Sequence, residues 1–148
     1  MTRKHGELEG PIQVQDATPS SLAVGVDLVQ VDEVAAALAD FGDRYLCRVF
    51  TEDEVASASN GAGVSAAHLA ARFAAKEAAI KVLRPTDHLP TWRSIEVRQG
   101  PSGRCSLRLS GRAAELARLA RLNEFAVSLS HQGNIAAAVV LALGKSEA

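Results

Sequence analysis

The stretch "ARFAAKEAAIK", Ala71 to Lys81, constrains this chain most. It is Ala-rich, holds neither Gly nor Pro, and places Leu69, Phe73 and Ile80 at helical spacing. The spacing predicts a long helix from about Ala66 to Leu83, which must end before Pro85. With Phe73 at zero on a helical wheel, Leu69 falls about 40° and Ile80 about 20° to one side, and Glu77 about 40° to the other. A carboxylate therefore stands on the shoulder of the apolar stripe, where an aliphatic residue would pack better. Arg72, Lys76 and Lys81 gather around it in sequence.

Shorter elements surround this helix. Leu22–Val31 (LAVGVDLVQV) is β-branched and reads as a buried strand. Asp32 is expected to cap a helix through Phe41, with Val34, Leu38 and Phe41 on one face and Gly42 as the stop. Asp43–Phe50 reads as a second helix. Thr51 and Glu54 form a capping box for a third. Asn60–Gly63 is a loop. Trp92–Arg98 and Arg104–Ser110 alternate as a hairpin around Gly100–Gly103. Arg112–Leu122 is an amphipathic helix, and Phe125–Ser130 and Ile135–Leu143 are strands joined at Gln132–Asn134. Residues 1–20 are polar and aperiodic, a flexible extension, and Ser146–Ala148 is a frayed end. With no internal repeat or dividing linker, residues 21–145 form one α+β domain in single copy: an antiparallel sheet packed with one long helix and shorter helices.

A chain of 148 residues can build one usable core, and with 47% apolar but only 4% aromatic residues that core is Ala, Leu and Val. The formal charge of −1 gives no case for nucleic acid or an anionic membrane as partner. No stretch approaches the ~20 apolar residues of a membrane span, and the N-terminus has no apolar signal core. Cys47 and Cys105 form no CxxC; two reduced thiols fit a cytoplasmic protein.

Three polar residues interrupt apolar elements: Asp27 in the strand "VGVDLV", Glu77 on the helix, and His131 after "FAVSLS". Each alone has an ordinary reading: a strand-end hydrogen bond, an i,i+4 pair with Lys81, a turn residue. Burying a lone carboxylate costs several kcal/mol unless it is paired or bound to a cation. One carboxylate on a strand and one on a helix that covers it suit a hard divalent cation, and Mg²⁺ takes one or two carboxylates, keeps waters and completes its shell with phosphate. Arg72, Lys76 and Lys81 suit the phosphates of such a substrate. No GxGxxG, Walker motif, zinc spacing or GxSxG elbow is present.

The segments "VGVDLVQVDEV", "RVFTEDE", "ARFAAKEAAIKVL", "IEV" before a Gly-containing turn, "VSLSH" and "IAAAVVLAL" together resemble the phosphopantetheinyl transferase superfamily, in its single-domain holo-acyl-carrier-protein synthase type. The resemblance spans roughly Val24 to Leu143. It implies the family's fold and reaction: Mg²⁺-dependent transfer (Mn²⁺ can substitute) of the 4′-phosphopantetheine arm of coenzyme A to a carrier-protein serine, releasing adenosine 3′,5′-bisphosphate. Asp27 and Glu77 match the metal ligands. Lys81 matches the lysine that contacts coenzyme A phosphate and protonates the leaving group. Arg72 and Lys76 match phosphate-holding residues, Ser130 and His131 the Ser–His pair of the coenzyme A site, and Glu54 a recurrent Glu near the metal. For the base, a metal-bound water and Glu54 both stay open.

Two stretches depart from the family pattern. "LRPTDHLPTW" replaces a Gly-Thr-Gly turn, with Arg84 as a substitute phosphate contact. The first helix carries Asp32 and Glu33 where basic residues usually meet an acidic carrier, while Arg44 and Arg48 stay as carrier contacts. The expected carrier is then a less acidic carrier domain of polyketide or peptide synthesis rather than the standard fatty-acid carrier protein. The resemblance also implies a homotrimer with sites between subunits. The alternative is a non-catalytic carrier-binding paralogue of the same fold.

Overall fold

In the computed structural model, residues 22–144 are described. The extension expected at 1–20 and the frayed end at 146–148 lie outside them. Strand β1 (Leu22–Gln30) leads into helices α1 (Val31–Phe41), α2 (Asp43–Val49) and α3 (Glu52–Ser57). A small hairpin, β2 (Ser59–Asn60) and β3 (Gly63–Val64), precedes the long helix α4 (Ala66–Leu83). A 3₁₀ turn (Trp92–Ser94), the hairpin β4 (Ile95–Gln99) and β5 (Cys105–Leu109), helix α5 (Gly111–Leu119), and strands β6 (Glu124–Gln132) and β7 (Ile135–Leu143) complete the domain.

Three strands form an antiparallel sheet in the order β1-β7-β6. Side chains alternate between its faces. Ala23, Gly25, Asp27 and Val29 face α4, as do Ala136, Ala138, Val140 and Ala142. Helix and sheet meet closely because the contact is built from the smallest residues. A Cβ at Gly25 would run into the Ala78 carbonyl oxygen and press on Val82 Cγ2 at 3.2 Å. Such overpacking costs ~1–3 kcal/mol, so glycine is required here.

The long helix does not present the expected stripe. Phe73 and Ile80 are only partly buried, whereas Ala70, Ala74, Ala75, Ala78 and Ala79 are fully buried. Helix α4 is enclosed on several sides, by the sheet, α1, α5 and the β4–β5 hairpin, so its alanines mark the closest approaches. Its boundaries are those the sequence predicts: Ser65 Oγ accepts from His68 N–H at the start, and Arg84 closes the end in the left-handed region, with φ +48.

Other elements shift. Helix α1 begins at Val31 and is not capped by Asp32. The turn at Asn134 caps it instead: Asn134 O accepts from Val31 N–H at 2.8 Å, and Asn134 Oδ1 from Asp32 N–H at 2.9 Å. Phe41 is exposed. Asn60–Gly63 closes the β2–β3 hairpin. The strand expected from Trp92 starts only at Ile95, because Trp92–Ser94 form a 3₁₀ turn closed by Ser94 N–H and Oγ–H donating to the Thr91 carbonyl. The Thr51 capping box forms as expected.

Candidate active site

Gly25 sets the spacing at which Asp27, two residues further along β1, meets α4. Glu77 and Lys81, one helical turn apart, are the residues α4 presents there. Lys81 Nζ donates to Asp27 Oδ1 at 2.9 Å and to the Val26 carbonyl at 2.9 Å. Asp27 Oδ2 is buried without a hydrogen-bond partner. Burial pushes the Glu77 carboxyl up to about 7, and the hydrogen bond and charge of Asp27 add to this. Burial acts upward on Asp27 too, but hydrogen bonds with Glu77 and Lys81 and the Lys81 charge outweigh it, so Asp27 lies below its ordinary value. Two facing carboxylates thus share one ammonium and hold one proton near neutrality. The buried Asp27 oxygen that no N–H or hydroxyl reaches, and the negative charge of the pair, suit a hard divalent cation. Among the described residues no group of three or more His, Cys, Asp or Glu forms a cage. Any ion held by Asp27 and Glu77 would therefore draw its remaining ligands from water or substrate.

Arg72 and Lys76 do not join this pair. They lie about 140° and 100° around α4 from Glu77, so only Lys81, about 40° away, shares its side. Arg72 instead lines a cavity of about 230 Å³ with His68, Gln99, Cys105 and His131. Its Nη1 donates to the His68 carbonyl and its Nη2 to Gln99 Oε1, both at 3.1 Å. Its Nε is buried without a partner. The His68 and His131 rings meet edge-on at 5.3 Å. Burial holds His68 below its ordinary value, with the His131 and Arg72 charges adding to the effect.

Two expectations are corrected by burial. Glu54 and Lys76 are fully buried and pair at 2.7 Å. Lys76 Nζ also donates to the Trp92 and Ile95 carbonyls, at 3.0 and 2.6 Å. Glu54 accepts from Thr51 N–H and Val97 N–H. With all three Lys76 protons and both Glu54 oxygens engaged, this pair ties α3 and α4 to β4; buried in that junction, Lys76 is not placed to hold a phosphate nor Glu54 to serve as a base. Ser130 and His131 project from alternate sides of β6, yet both line the Arg72 cavity, as the expected pair would. Arg84 is exposed at the α4 C-terminus, and Arg44 and Arg48 are exposed on α2.

His68, Gln99 and Cys105 were missed in the sequence. His68 stands four residues before Arg72, a legible helical neighbour. Gln99 and Cys105 become partners only through the β4–β5 register.

A cavity lined by Arg72 of α4 and a carboxylate pair that joins Glu77 of α4 to Asp27 of β1 are a combination suited to a polyphosphorylated ligand. Residues 23–140 match the family model of the 4′-phosphopantetheinyl transferase superfamily, and the chain belongs to that superfamily. Among its relatives, the holo-[acyl-carrier-protein] synthase of Herpetosiphon aurantiacus is 39% identical over 130 residues, covering 83% of this chain and 99% of that one. The Chloroflexus aurantiacus holo-[acyl-carrier-protein] synthase is 42% identical, covering 80% and 95%. Among solved structures, the Chronobacterium ammoniagenes ACPS–CoA complex has a TM-score of 0.72 at 33% identity, over 85% of this chain and 99% of that one.

Proposed function

We infer that this chain transfers the 4′-phosphopantetheine arm of coenzyme A to a serine hydroxyl of an apo acyl carrier protein or carrier domain, releasing adenosine 3′,5′-bisphosphate. The observation that carries the reading is the Asp27–Glu77 pair, two carboxylates held together against their own repulsion with a single lysine between them and solvent. Asp27 and Glu77 would hold Mg²⁺ (or Mn²⁺). When bound, the ion supplies charge stabilisation to the non-bridging oxygens of the diphosphate.

The chain's own residues divide the remaining work. In the reaction the serine Oγ–phosphorus bond forms and the bond from that phosphorus to the bridging diphosphate oxygen breaks. Lys81, with its side chain 56% exposed, can turn from Asp27 to that bridging oxygen and give it a proton. Arg72 and His131 hold anionic groups in their cavity, and Arg84 offers a further contact from the helix end. Burial removes Glu54 from the candidates for base, which leaves water at the carboxylate pair. Arg44 and Arg48 meet the carrier.

The two parts of the site sit at opposite edges of the three-stranded sheet, Asp27 on β1 and His131 on β6. Those edges are about two strand spacings apart, ~10 Å, with α4 between the side chains. This separation supports a site completed by a neighbouring subunit, and so a homotrimer. The open sheet face supports it too: Val24, Val26, Leu28, Val139 and Leu141 are exposed together. An apolar patch of this kind marks an interface. The two cysteines are free, as suits the cytoplasm. Among the described residues no helix is long and apolar enough to cross a membrane.

The test is mass spectrometry of a panel of apo carriers after incubation with enzyme, coenzyme A and Mg²⁺. Addition of phosphopantetheine to a carrier serine is expected. No addition to any fatty-acid, polyketide or peptide carrier would overturn the reading.

A further inference from the structure

We propose that Cys105 is a thiol-modification site, selective for anionic disulfides such as glutathione disulfide, whose adduct plugs the Arg72 cavity. Cys105 opens β5 directly opposite Gln99 of β4, so both side chains lie on one face of the hairpin. Gln99 Oε1 accepts from Arg72 Nη2, and all three residues line the cavity with His68 and His131. The Cys105 sulfur is weakly held: its one hydrogen-bond contact is a long 3.9 Å approach to the Gly103 carbonyl.

The second observation is Arg72. It is 4% exposed, aimed into the cavity, with Nε unpartnered. Among the described residues no carboxylate pairs with it, and Glu54, the acid that favours its charge, is already taken by Lys76. A buried cation without a counter-ion draws anions to the mouth in which Cys105 stands. The other thiol has mixed surroundings. Cys47 is exposed on α2 in a groove that contains Asp43 and Glu52, but Arg44 and Arg48 flank it on the same helix and Glu52 is paired with Arg93. Reagent charge should therefore matter more at Cys105 than at Cys47.

The step is a thiol–disulfide exchange. The Cys105 sulfur, its proton lost to solvent, attacks one sulfur of glutathione disulfide. The reagent's S–S bond breaks, the Cys105–glutathione disulfide forms, and one glutathione leaves as thiolate. No other oxidant is required. The adduct brings its carboxylates into the cavity beside Arg72. That it blocks turnover rests on the reading that the cavity takes part of the coenzyme.

The experiment uses the full chain, treated separately with anionic glutathione disulfide and cationic cystamine, with the adduct on each cysteine followed by peptide mass spectrometry. The Cys105-to-Cys47 rate ratio should be about tenfold or more higher with glutathione disulfide than with cystamine, the scale of electrostatic steering. Arg72→Gln should remove the difference. One ratio with both reagents would overturn the site. The reagent comparison holds even if Arg72→Gln does not fold, and it needs neither coenzyme nor turnover, so it stands or fails apart from the proposed function. In an active preparation, the adduct should lower transfer and dithiothreitol restore it. Cys105→Ser should lose nothing relative to its own untreated rate, and Cys47→Ser should lose as much as the parent. Full activity with Cys105 fully modified would overturn the plug.

Discussion

Lys81 donates to Asp27 Oδ1, and no N–H or hydroxyl reaches the buried Asp27 Oδ2. One ammonium thus answers only part of the charge that Asp27 and Glu77 bring together. On the proposed reading a divalent cation answers the rest. Asp27→Ala or Glu77→Ala should each lower kcat by at least about 10²-fold, the scale of removing one charge-stabilising group, with the circular dichroism spectrum unchanged. Near-normal turnover of either variant at saturating Mg²⁺ would refute the assignment.

The same pair predicts a pH dependence of stability. Glu77 in the folded state keeps its proton up to about pH 7, against an ordinary value of 4.5. Between those values the folded state binds more protons than the unfolded one, so stability falls as pH rises through the window. Asp27 shifts the other way. Its contribution is present above 3.8 and is lost only as pH falls through its lower folded value, outside this window. The Tm of metal-free protein should therefore decline from about pH 5 to about pH 8, and Glu77→Gln should flatten that slope. Added Mg²⁺ should raise Tm more at the upper end than at the lower. An unchanged slope in Glu77→Gln would assign the dependence elsewhere.

Glu54 and Lys76 carry a different expectation. Removing one partner leaves an uncompensated buried charge, which costs ~3–5 kcal/mol. Lys76→Met should therefore lower the denaturant midpoint strongly. Glu54→Gln should also destabilise, while the folded fraction keeps the parent's pH–rate profile. Loss of the acidic limb of that profile in Glu54→Gln would restore Glu54 as the base.

Local signals were legible in sequence where they rest on local chemistry. The ends of α4 follow from Ser65 and Pro85, and the α3 capping box from Thr51 and Glu54. Asp27 and Glu77 stood out because carboxylates there have no apolar reason to exist. What failed needed tertiary context. Lys76 lies about 60° from Phe73, on the Leu69–Ile80 side and thus inside the apolar stripe, but its flexible basic chain read as a surface phosphate contact. Only the fold supplies the Trp92 and Ile95 carbonyls and Glu54 that satisfy it. The Asn134 cap on α1 is 102 residues from Asp32, beyond any local reading. Ser130 and His131, adjacent in sequence, both come to the Arg72 cavity although a strand sends neighbouring side chains to opposite faces.

If neighbouring subunits complete one another's sites, light scattering should give about three times the 15.5 kDa subunit mass, as a closed ring requires. Val26→Glu, on the open sheet face, should reduce both the mass and the activity. Asp27→Ala and His131→Ala should each be poorly active alone. After mixing, unfolding and refolding together, roughly a quarter of the sites in random trimers would combine an intact carboxylate pair with an intact cavity. Activity that returns toward that level supports a shared site. No recovery from mixed trimers would place both halves within one chain.

Carrier recognition is the last expectation. Helix α1 packs against α4, the helix that carries Glu77, and on the proposed reading a carrier serine arrives at the carboxylate pair. Asp32 and Glu33 should repel a strongly acidic carrier helix there, whereas Arg44 and Arg48, one turn apart and exposed on α2, should attract it. Arg44→Ala with Arg48→Ala is expected to raise the carrier KM, with coenzyme A affinity little changed by calorimetry. Glu33→Arg is expected to raise kcat/KM for an acidic fatty-acid carrier, and the gain should shrink with added salt, since exposed charges are screened over ~8–10 Å at physiological ionic strength. Loss of coenzyme A binding in the double variant would move these arginines to the nucleotide pocket. If Glu33→Arg leaves kcat/KM unchanged for every carrier at low salt, α1 is not the docking face.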